Sequence, residues 1–169
     1  MVAMTYDPDL IQRIEAAVSE PESADPPLRR RRVLLRLSRA PSLAFTSHAW
    51  VIVASDARRP GSPAIVREVC CTRSGARAGL TVRDVETDEA TASAWCREAA
   101  AIPVPLVGFE DNLGCDGTTY TLFAQGGFAF VNLSWWCDGP REWRPLTAWA
   151  RALMERLHDL AGQGEPLEV

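Results

Sequence analysis

The sequence predicts an α+β fold with a mostly antiparallel sheet of about five strands, in the order α-βββ-α-ββ-α, and helices packed on one face. Three observations predict it: apolar β-branched runs between residues 33 and 72, two strand-like runs separated by a pair of glycines, and an amphipathic helix near the end. With 169 residues, 47% of them hydrophobic and 24% charged, the chain has the size and composition of one globular domain.

The first 27 residues are predicted to precede the α+β core, which spans 28–162. A helix is expected over 8–19, because Asp7 is placed to cap it and apolar residues recur at helical spacing. Residues 20–27 (EPESADPP) combine prolines and acids, which predicts a linker without secondary structure.

Three strands are predicted next. Residues 33–39 alternate in the manner of a strand with two distinct faces. The runs 50–54 (WVIVA) and 64–72 (AIVREVCCT) are apolar and rich in β-branched residues, and a turn signal at 59–63 lies between them. We expect an antiparallel meander.

The second half of the chain is predicted to supply two helices and a hairpin. After an irregular stretch containing glycine, Thr87 is placed to cap a helix that runs to about Ala101. Gly126 and Gly127 separate the strands 118–125 and 128–136, which predicts a β-hairpin. A last helix over 144–160 carries one apolar stripe and is ended by Gly162.

The net charge argues against one class of function, and the cysteines indicate a cellular location. The formal net charge is −4, which argues against nucleic-acid binding, because phosphate recognition uses clustered positive charge. No apolar run is long enough to cross a bilayer and no basic segment opens the chain, so neither a membrane nor an export signal is expected. Five unevenly spaced cysteines suit reduced thiols, which predicts a cytoplasmic protein.

Catalytic, cofactor and metal signatures are not recognisable in the sequence. His48 and His158 have no nucleophile motif around them, and the sequence contains no paired CxxC or HxxxH spacing typical of a zinc site. The acidic loop 110–117 offers enough oxygen atoms for a cation but does not match an EF-hand, and a turn explains it more simply. Cys115 and Cys137 flank the predicted hairpin, where they either pair or stay as thiols.

The aromatic segment 135–143 contains the main candidates for a protein contact. Adjacent tryptophans on a strand point to opposite faces, so Trp135, with Val131 and Leu133, is expected in the core and Trp136 on the other face. Exposed Trp anchors many protein interfaces. The complete set of predicted partner-binding residues is Glu110, Asp111, Asp116, Trp136, Asp138 and Trp143.

The last third of the chain resembles a loose group of small, uncharacterised bacterial α+β proteins. The shared pattern is a DG-x-x-Y-x-L strand at 116–122, a W-W strand end at 135–136 and a P-x-x-W-x-x-L helix entry at 140–146. Some similar domains are immunity proteins that accompany secreted toxins. This resemblance implies an α+β fold and a protein partner, and it implies no activity that can be assigned to individual residues.

Two functions follow as expectations. The first is a non-catalytic protein-binding module, concretely an immunity protein that neutralises a cognate bacterial toxin through shape and charge complementarity. The alternative is a small-ligand-binding protein, or an enzyme of unrecognised class, that uses the acidic loop 110–117.

Overall fold

A computed structural model of the chain describes residues 31–42, 46–59, 61–74, 77–105, 117–126, 129–162 and 166–167. The predicted N-terminal helix over 8–19, the linker over 20–27 and most of the acidic loop lie outside these described residues. None of the described helices is long and apolar enough to span a membrane.

The described strands form one sheet in which every pairing is antiparallel, with the order β6-β5-β1-β2-β3-β4-β7. The strands are β1 (Val33–Pro41), β2 (Thr46–Val53), β3 (Ala64–Ser74), β4 (Arg77–Thr87), β5 (Thr118–Gly126), β6 (Ala129–Trp136) and the two-residue β7 (Pro166–Leu167). The predicted meander β1-β2-β3 and the predicted hairpin β5-β6 are both present. The prediction of an antiparallel α+β fold is therefore confirmed.

The predicted number of five strands is wrong, because β4 occupies the stretch that was expected to be irregular. Its glycine and charged residues give it a weak strand pattern, but β3 pairs with it along its full length, from Ala64 opposite Thr87 to Ser74 opposite Arg77. The backbone hydrogen bonds of this long hairpin outweigh the local propensity, which is only a weak determinant of strand formation.

Two helices lie on one face of the sheet: α1 (Glu89–Ala100) and α2 (Arg144–Ala161), the latter preceded by a 3-10 turn at Arg141–Trp143. The cap of α1 is Asp88 and not Thr87, which is the last residue of β4. An Asp88 carboxylate oxygen accepts a hydrogen bond from the Thr91 backbone amide at 2.7 Å. Gly162 follows α2 as predicted, and its amide donates to the His158 carbonyl.

The main core lies between this face of the sheet and the two helices, as the amphipathic patterns predict. Leu153 and Leu157 of α2 are completely buried there. They pack in one cluster with sheet residues that include Leu35, Ile52 and Leu122. The helix α2 therefore holds its polar flank directly above the middle strands, where the candidate site lies.

The opposite face of the sheet has a smaller apolar cluster, formed by Ala49, Val51, Val53, Val69 and Val82. The buried Arg67 side chain lies on this face, and its guanidinium donates two hydrogen bonds to the Asp84 carboxylate on the neighbouring strand. This paired geometry satisfies a charge that would otherwise be costly to bury.

The β5-β6 hairpin carries the two adjacent tryptophans. Trp135 is buried against Tyr120 and Trp143, as predicted. Val131, which was expected in the core with it, is 43% exposed and lies on β6, at the edge of the described sheet. A side chain on the inner face of an edge strand is buried only where a helix covers it.

Candidate functional site

A pocket of about 460 Å³ opens between the middle of the sheet and the polar flank of α2. It lies near one end of the strands β1, β2 and β5, which run side by side under the helix. The residues that line it are Arg39, His48, Trp50, Thr118, Tyr120, Arg151, Met154, Glu155 and His158. Its volume lies within the range of roughly 300–1,000 Å³ that is typical of small-molecule sites.

The sequence places the pocket residues at spacings that suit their elements. On α2, residues 151, 154, 155 and 158 follow the spacing i, i+3, i+4 and i+7, so their side chains lie along one side of the helix. On β2, His48 and Trp50 are two residues apart and therefore point to the same face of the sheet. The pocket thus forms where one helix flank meets one sheet face.

The two histidines of the chain meet at the same carboxylate. His158 Nδ1 donates a hydrogen bond to Glu68 Oε1 at 2.7 Å, and His48 Nδ1 donates to the same oxygen at 3.3 Å. Glu68 is 1% exposed and lies on β3, opposite Trp50 on one side and Arg83 on the other. The second carboxylate oxygen, Oε2, lies 3.6 Å from Arg83 and accepts no hydrogen bond from the part of the chain that the structure describes.

These contacts control the ionisation of the buried carboxyl group. Burial raises the pKa of Glu68 and is the largest single influence, but hydrogen bonds from His48 and His158, together with electrostatic interactions with both rings, lower it. The net result is a pKa below the ordinary value, so Glu68 is ionised at neutral pH. An ionised carboxylate only accepts hydrogen bonds, which places a proton on Nδ1 of each histidine.

The imidazole rings are held by aromatic neighbours. The His48 ring stacks on Trp50 with a centroid separation of 5.4 Å, and the edge of His158 meets the His48 ring at 5.6 Å. Trp50 is itself buried, and its indole Nε1 has no hydrogen-bond partner among the residues that the structure describes. The stacked rings are therefore oriented before anything enters the pocket.

The other side of the pocket is cationic. Arg151 donates to the Tyr120 hydroxyl at 3.0 Å and to the Asp138 carboxylate at 2.8 Å, and its guanidinium lies over the Tyr120 ring. The hydrogen bond to Tyr120, with the nearby Asp138 charge, raises the pKa of Arg151 although its partial burial lowers it. These contacts hold the guanidinium in one orientation.

Arg39 supplies a second guanidinium on the pocket wall. Its side chain forms no hydrogen bond or ion pair with any residue that the structure describes. Glu155 is the one carboxylate among the described residues that line the pocket, and Glu68 beneath it contacts both histidines and Arg83. The described lining therefore sets two guanidinium groups against Glu155, while Asp138 at the border is bonded to Arg151.

The predicted partner-binding residues are distributed differently. Asp138 is exposed and is bonded to Arg151, so it borders the pocket. Trp136 is half-buried at the end of β6, and Trp143 is buried, with its indole donating to the Pro105 carbonyl at 3.2 Å. Glu110, Asp111 and Asp116 lie outside the described residues, as does Cys115, while Cys137 carries a free thiol.

Sequence reasoning missed the His48–Glu68–His158 cluster, because the histidines are separated from Glu68 by 20 and 90 positions. One signal was available: Glu68 is a charged residue in the middle of an apolar strand sequence, where a carboxylate needs a polar partner. Apart from arginine, the sequence offers only its two histidines as basic partners for Glu68, since it contains no lysine.

The arrangement can support three kinds of chemistry. Two oriented imidazoles beside an ionised carboxylate can exchange protons with a bound molecule. The guanidinium groups can bind a carboxylate or a phosphate. The two imidazole nitrogens and the Glu68 oxygen are also a set of ligands suited to a divalent transition metal.

No protein-family model matches the chain, and no curated protein or solved structure is significantly similar to it. The resemblance to small bacterial α+β proteins stays a prediction from the sequence motifs.

Proposed function

We propose that the chain binds a small organic anion in the pocket between the sheet and α2. The observation that carries this proposal is the convergence of Arg39, Arg151 and two histidines around one open cavity of about 460 Å³. The proposal keeps the small-ligand alternative drawn from the sequence but moves its site from the acidic loop to the cationic pocket.

Several contacts support an anionic ligand. Arg151 is fixed in place by Tyr120 and Asp138, so little conformational freedom is lost when its remaining N–H groups bind an oxyanion. Arg39 has donors that no described residue uses. Trp50 and Tyr120 add aromatic surface to the lining beside these charged groups.

The test is thermal unfolding of the full chain with a panel of small anions: inorganic phosphate, a sugar phosphate, citrate, benzoate and a nucleoside monophosphate. A ligand that binds the native state raises the melting temperature, by an amount that grows with the logarithm of its concentration once that exceeds Kd. Neutral analogues of each compound serve as ligand controls. Phosphate and carboxylate series distinguish the two classes of anion, and a panel without any shift would contradict the proposal.

Substitutions locate the binding to the pocket. Arg39→Gln should weaken the anion roughly tenfold to 100-fold, because a hydrogen bond to a charged group contributes about 1.5–3 kcal/mol. Arg156→Gln is the control, since Arg156 lies on α2, which lines the pocket, but bonds to Glu98 away from the pocket. Equal affinities in both variants would place the anion elsewhere.

A second candidate function is the protein-binding module, in the form of an immunity protein that neutralises a cognate bacterial toxin. The exposed edge strand β6 favours it. Phe130 is 72% exposed and stacks on Phe123, and Val131 is also exposed on the opposite side of the strand. An unpaired edge with apolar side chains is a surface to which another protein can add a strand.

An affinity purification from the native cells tests this candidate. The wild-type chain should retain one partner in stoichiometric amount, and Phe130→Ser should lose it, while Ala129→Ser on the same exposed edge should retain it. Failure to retain any stoichiometric protein, or equal retention by both variants, would remove the support that β6 gives.

A further inference from the structure

We propose that His48, Glu68 and His158 form a binding site for a divalent transition metal, with Zn²⁺ as the best match to the ligand set. Each of the three residues offers one ligand atom, and these atoms all lie within 4.8 Å of one another. Nδ1 of each histidine contacts Glu68 Oε1. The site shares its two histidines with the proposed anion pocket, but its ligands are the protein's own side chains and it needs no bound anion.

The distances between the histidine nitrogens and the Glu68 oxygen fit a bound metal ion after a small shift of one ring. Zinc binds nitrogen and carboxylate oxygen at about 2.0–2.2 Å, so two ligands of a tetrahedral ion lie roughly 3.3 Å apart. Glu68 Oε1 is 3.3 Å from His48 Nδ1 and 2.7 Å from His158 Nδ1. A metal therefore requires the His158 ring to move outward by roughly half an ångström, and this side chain, 54% exposed at the helix surface, has room to do so.

The framework around the ligands is rigid. His48 and Glu68 lie on the same face of two strands, β2 and β3, that are paired along eight consecutive positions from Thr46 to Val53. His158 is held above them by the buried face of α2. Stacking on Trp50 fixes the plane of the His48 ring. Ligands that are oriented in advance lose little conformational entropy when a metal binds.

The ligand types select the metal. Two imidazole nitrogens and one carboxylate suit zinc, iron, cobalt or nickel, whereas calcium and magnesium prefer oxygen ligands alone. Each imidazole that now donates from Nδ1 would carry its one proton on Nε2 once Nδ1 coordinates the metal. Glu68 Oε1 now accepts two hydrogen bonds from the histidines. A bound metal would become the partner of this oxygen in place of those hydrogen bonds.

Three protein ligands leave at least one coordination position open, and it faces the pocket, because both histidines line it. A water molecule or an oxygen atom of a bound anion can take that position. Tyr120 and Arg151 line the same cavity as the two histidines. A molecule coordinated to the metal would therefore also meet the Arg151 guanidinium.

The experiment uses the full chain without a polyhistidine tag, stripped of metal by a chelator and kept reduced, in a buffer without organic anions. Titration with Zn²⁺ by calorimetry should give one ion per chain, and Co²⁺ should produce visible ligand-field bands of a four- or five-coordinate site. A strong sulfur-to-cobalt absorption in the near ultraviolet would instead identify cysteine as the ligand and overturn the proposal.

Variants then test each ligand. His158→Gln, on the exposed side of the site, should keep the fold and weaken Zn²⁺ by more than the tenfold to 100-fold that is typical of losing an outer hydrogen-bond partner of a metal site. His48→Gln and Glu68→Gln should do the same. Glu98→Gln is the control, because this carboxylate bonds to Trp149 and Arg156 outside the cluster.

The melting temperature offers a second readout that does not depend on cobalt. Zn²⁺ should raise it in the wild type and in Glu98→Gln, and leave it unchanged in His158→Gln. If zinc does not bind the wild type, or binds His158→Gln and Glu98→Gln equally, the cluster is a hydrogen-bonded network of two histidines and a glutamate and the proposal fails. The anion screen is read separately, so the failure of one proposal does not decide the other.

Discussion

Gly117 lies immediately before β5, at a position where any side chain larger than hydrogen collides with its surroundings. An alanine Cβ at this position would approach the Trp136 indole and the Cys137 sulfur to less than 3.0 Å, which real Cβ atoms essentially never show. The backbone cannot easily retreat, because the Gly117 carbonyl accepts a hydrogen bond from the Ser42 amide at 2.7 Å. We therefore expect Gly117→Ala to destabilise the fold and displace Trp136.

The magnitude follows from the cost of overpacking. Forcing an extra methyl group into a filled site costs about 1–3 kcal/mol when neighbouring side chains and backbone have to move. For a chain of this length, 1 kcal/mol corresponds to about 2–4 °C in melting temperature, so the expected decrease is roughly 2–12 °C. Urea unfolding followed by tryptophan fluorescence gives the free energy, and thermal unfolding by circular dichroism gives the melting temperature.

Gly126 provides the matched control at the other end of β5. A Cβ built there meets nothing within 4 Å, so Gly126→Ala should change the free energy of unfolding by less than about 0.5 kcal/mol. Adding Trp136→Ala to Gly117→Ala should recover part of the loss, because one of the two colliding groups is removed. Equal effects of both glycine substitutions, or no recovery in the double variant, would refute the steric explanation.

Three further predictions concern stability and reactivity. Leu157→Ala removes a completely buried side chain from α2 and should cost about 2–5 kcal/mol in urea unfolding, and a cost near that of the exposed Ala152→Ser would contradict the assigned core. Burial raises the pKa of the Cys96 thiol, so iodoacetamide should alkylate it more slowly in the native chain than in urea, as measured by mass spectrometry. Hydrogen bonds from the Thr91 hydroxyl and amide hold the pKa of Asp88 below its ordinary value, so its contribution to stability is complete above that ordinary value and is lost as the pH falls through the lower, native one. Asp88→Asn should flatten this acid dependence in thermal melts, and an unchanged slope would show that the cap does not titrate as described.

The fold was largely predictable because most of its elements have strong local patterns. The β5-β6 hairpin follows from two strand-like runs around a pair of glycines, and α2 follows from its apolar stripe. The strand β4 was not predictable, since its sequence has little strand character of its own. It forms because β3 offers a continuous row of backbone donors and acceptors, and pairing depends on the partner as much as on the strand.

The candidate site was much harder to predict. The sequence motifs directed attention to the acidic loop and to the tryptophans at 135, 136 and 143, of which Trp135 and Trp143 pack in the core. The pocket is instead built from residues on β1, β2, β5 and α2, and the carboxylate beneath it comes from β3. No spacing rule connects His48, Glu68 and His158, because side chains from separate elements meet only after the sheet and helix have packed.

The sequence by itself determined the α+β class, the antiparallel meander, the hairpin and the amphipathic helix α2, because each depends on periodicity and turn chemistry within a short segment. Only the tertiary structure decided that β4 joins the sheet and that Arg39, Arg151 and the two histidines share one cavity. The physical reason is range: local propensity acts over a few residues, whereas a site depends on where packing and strand pairing bring distant side chains together.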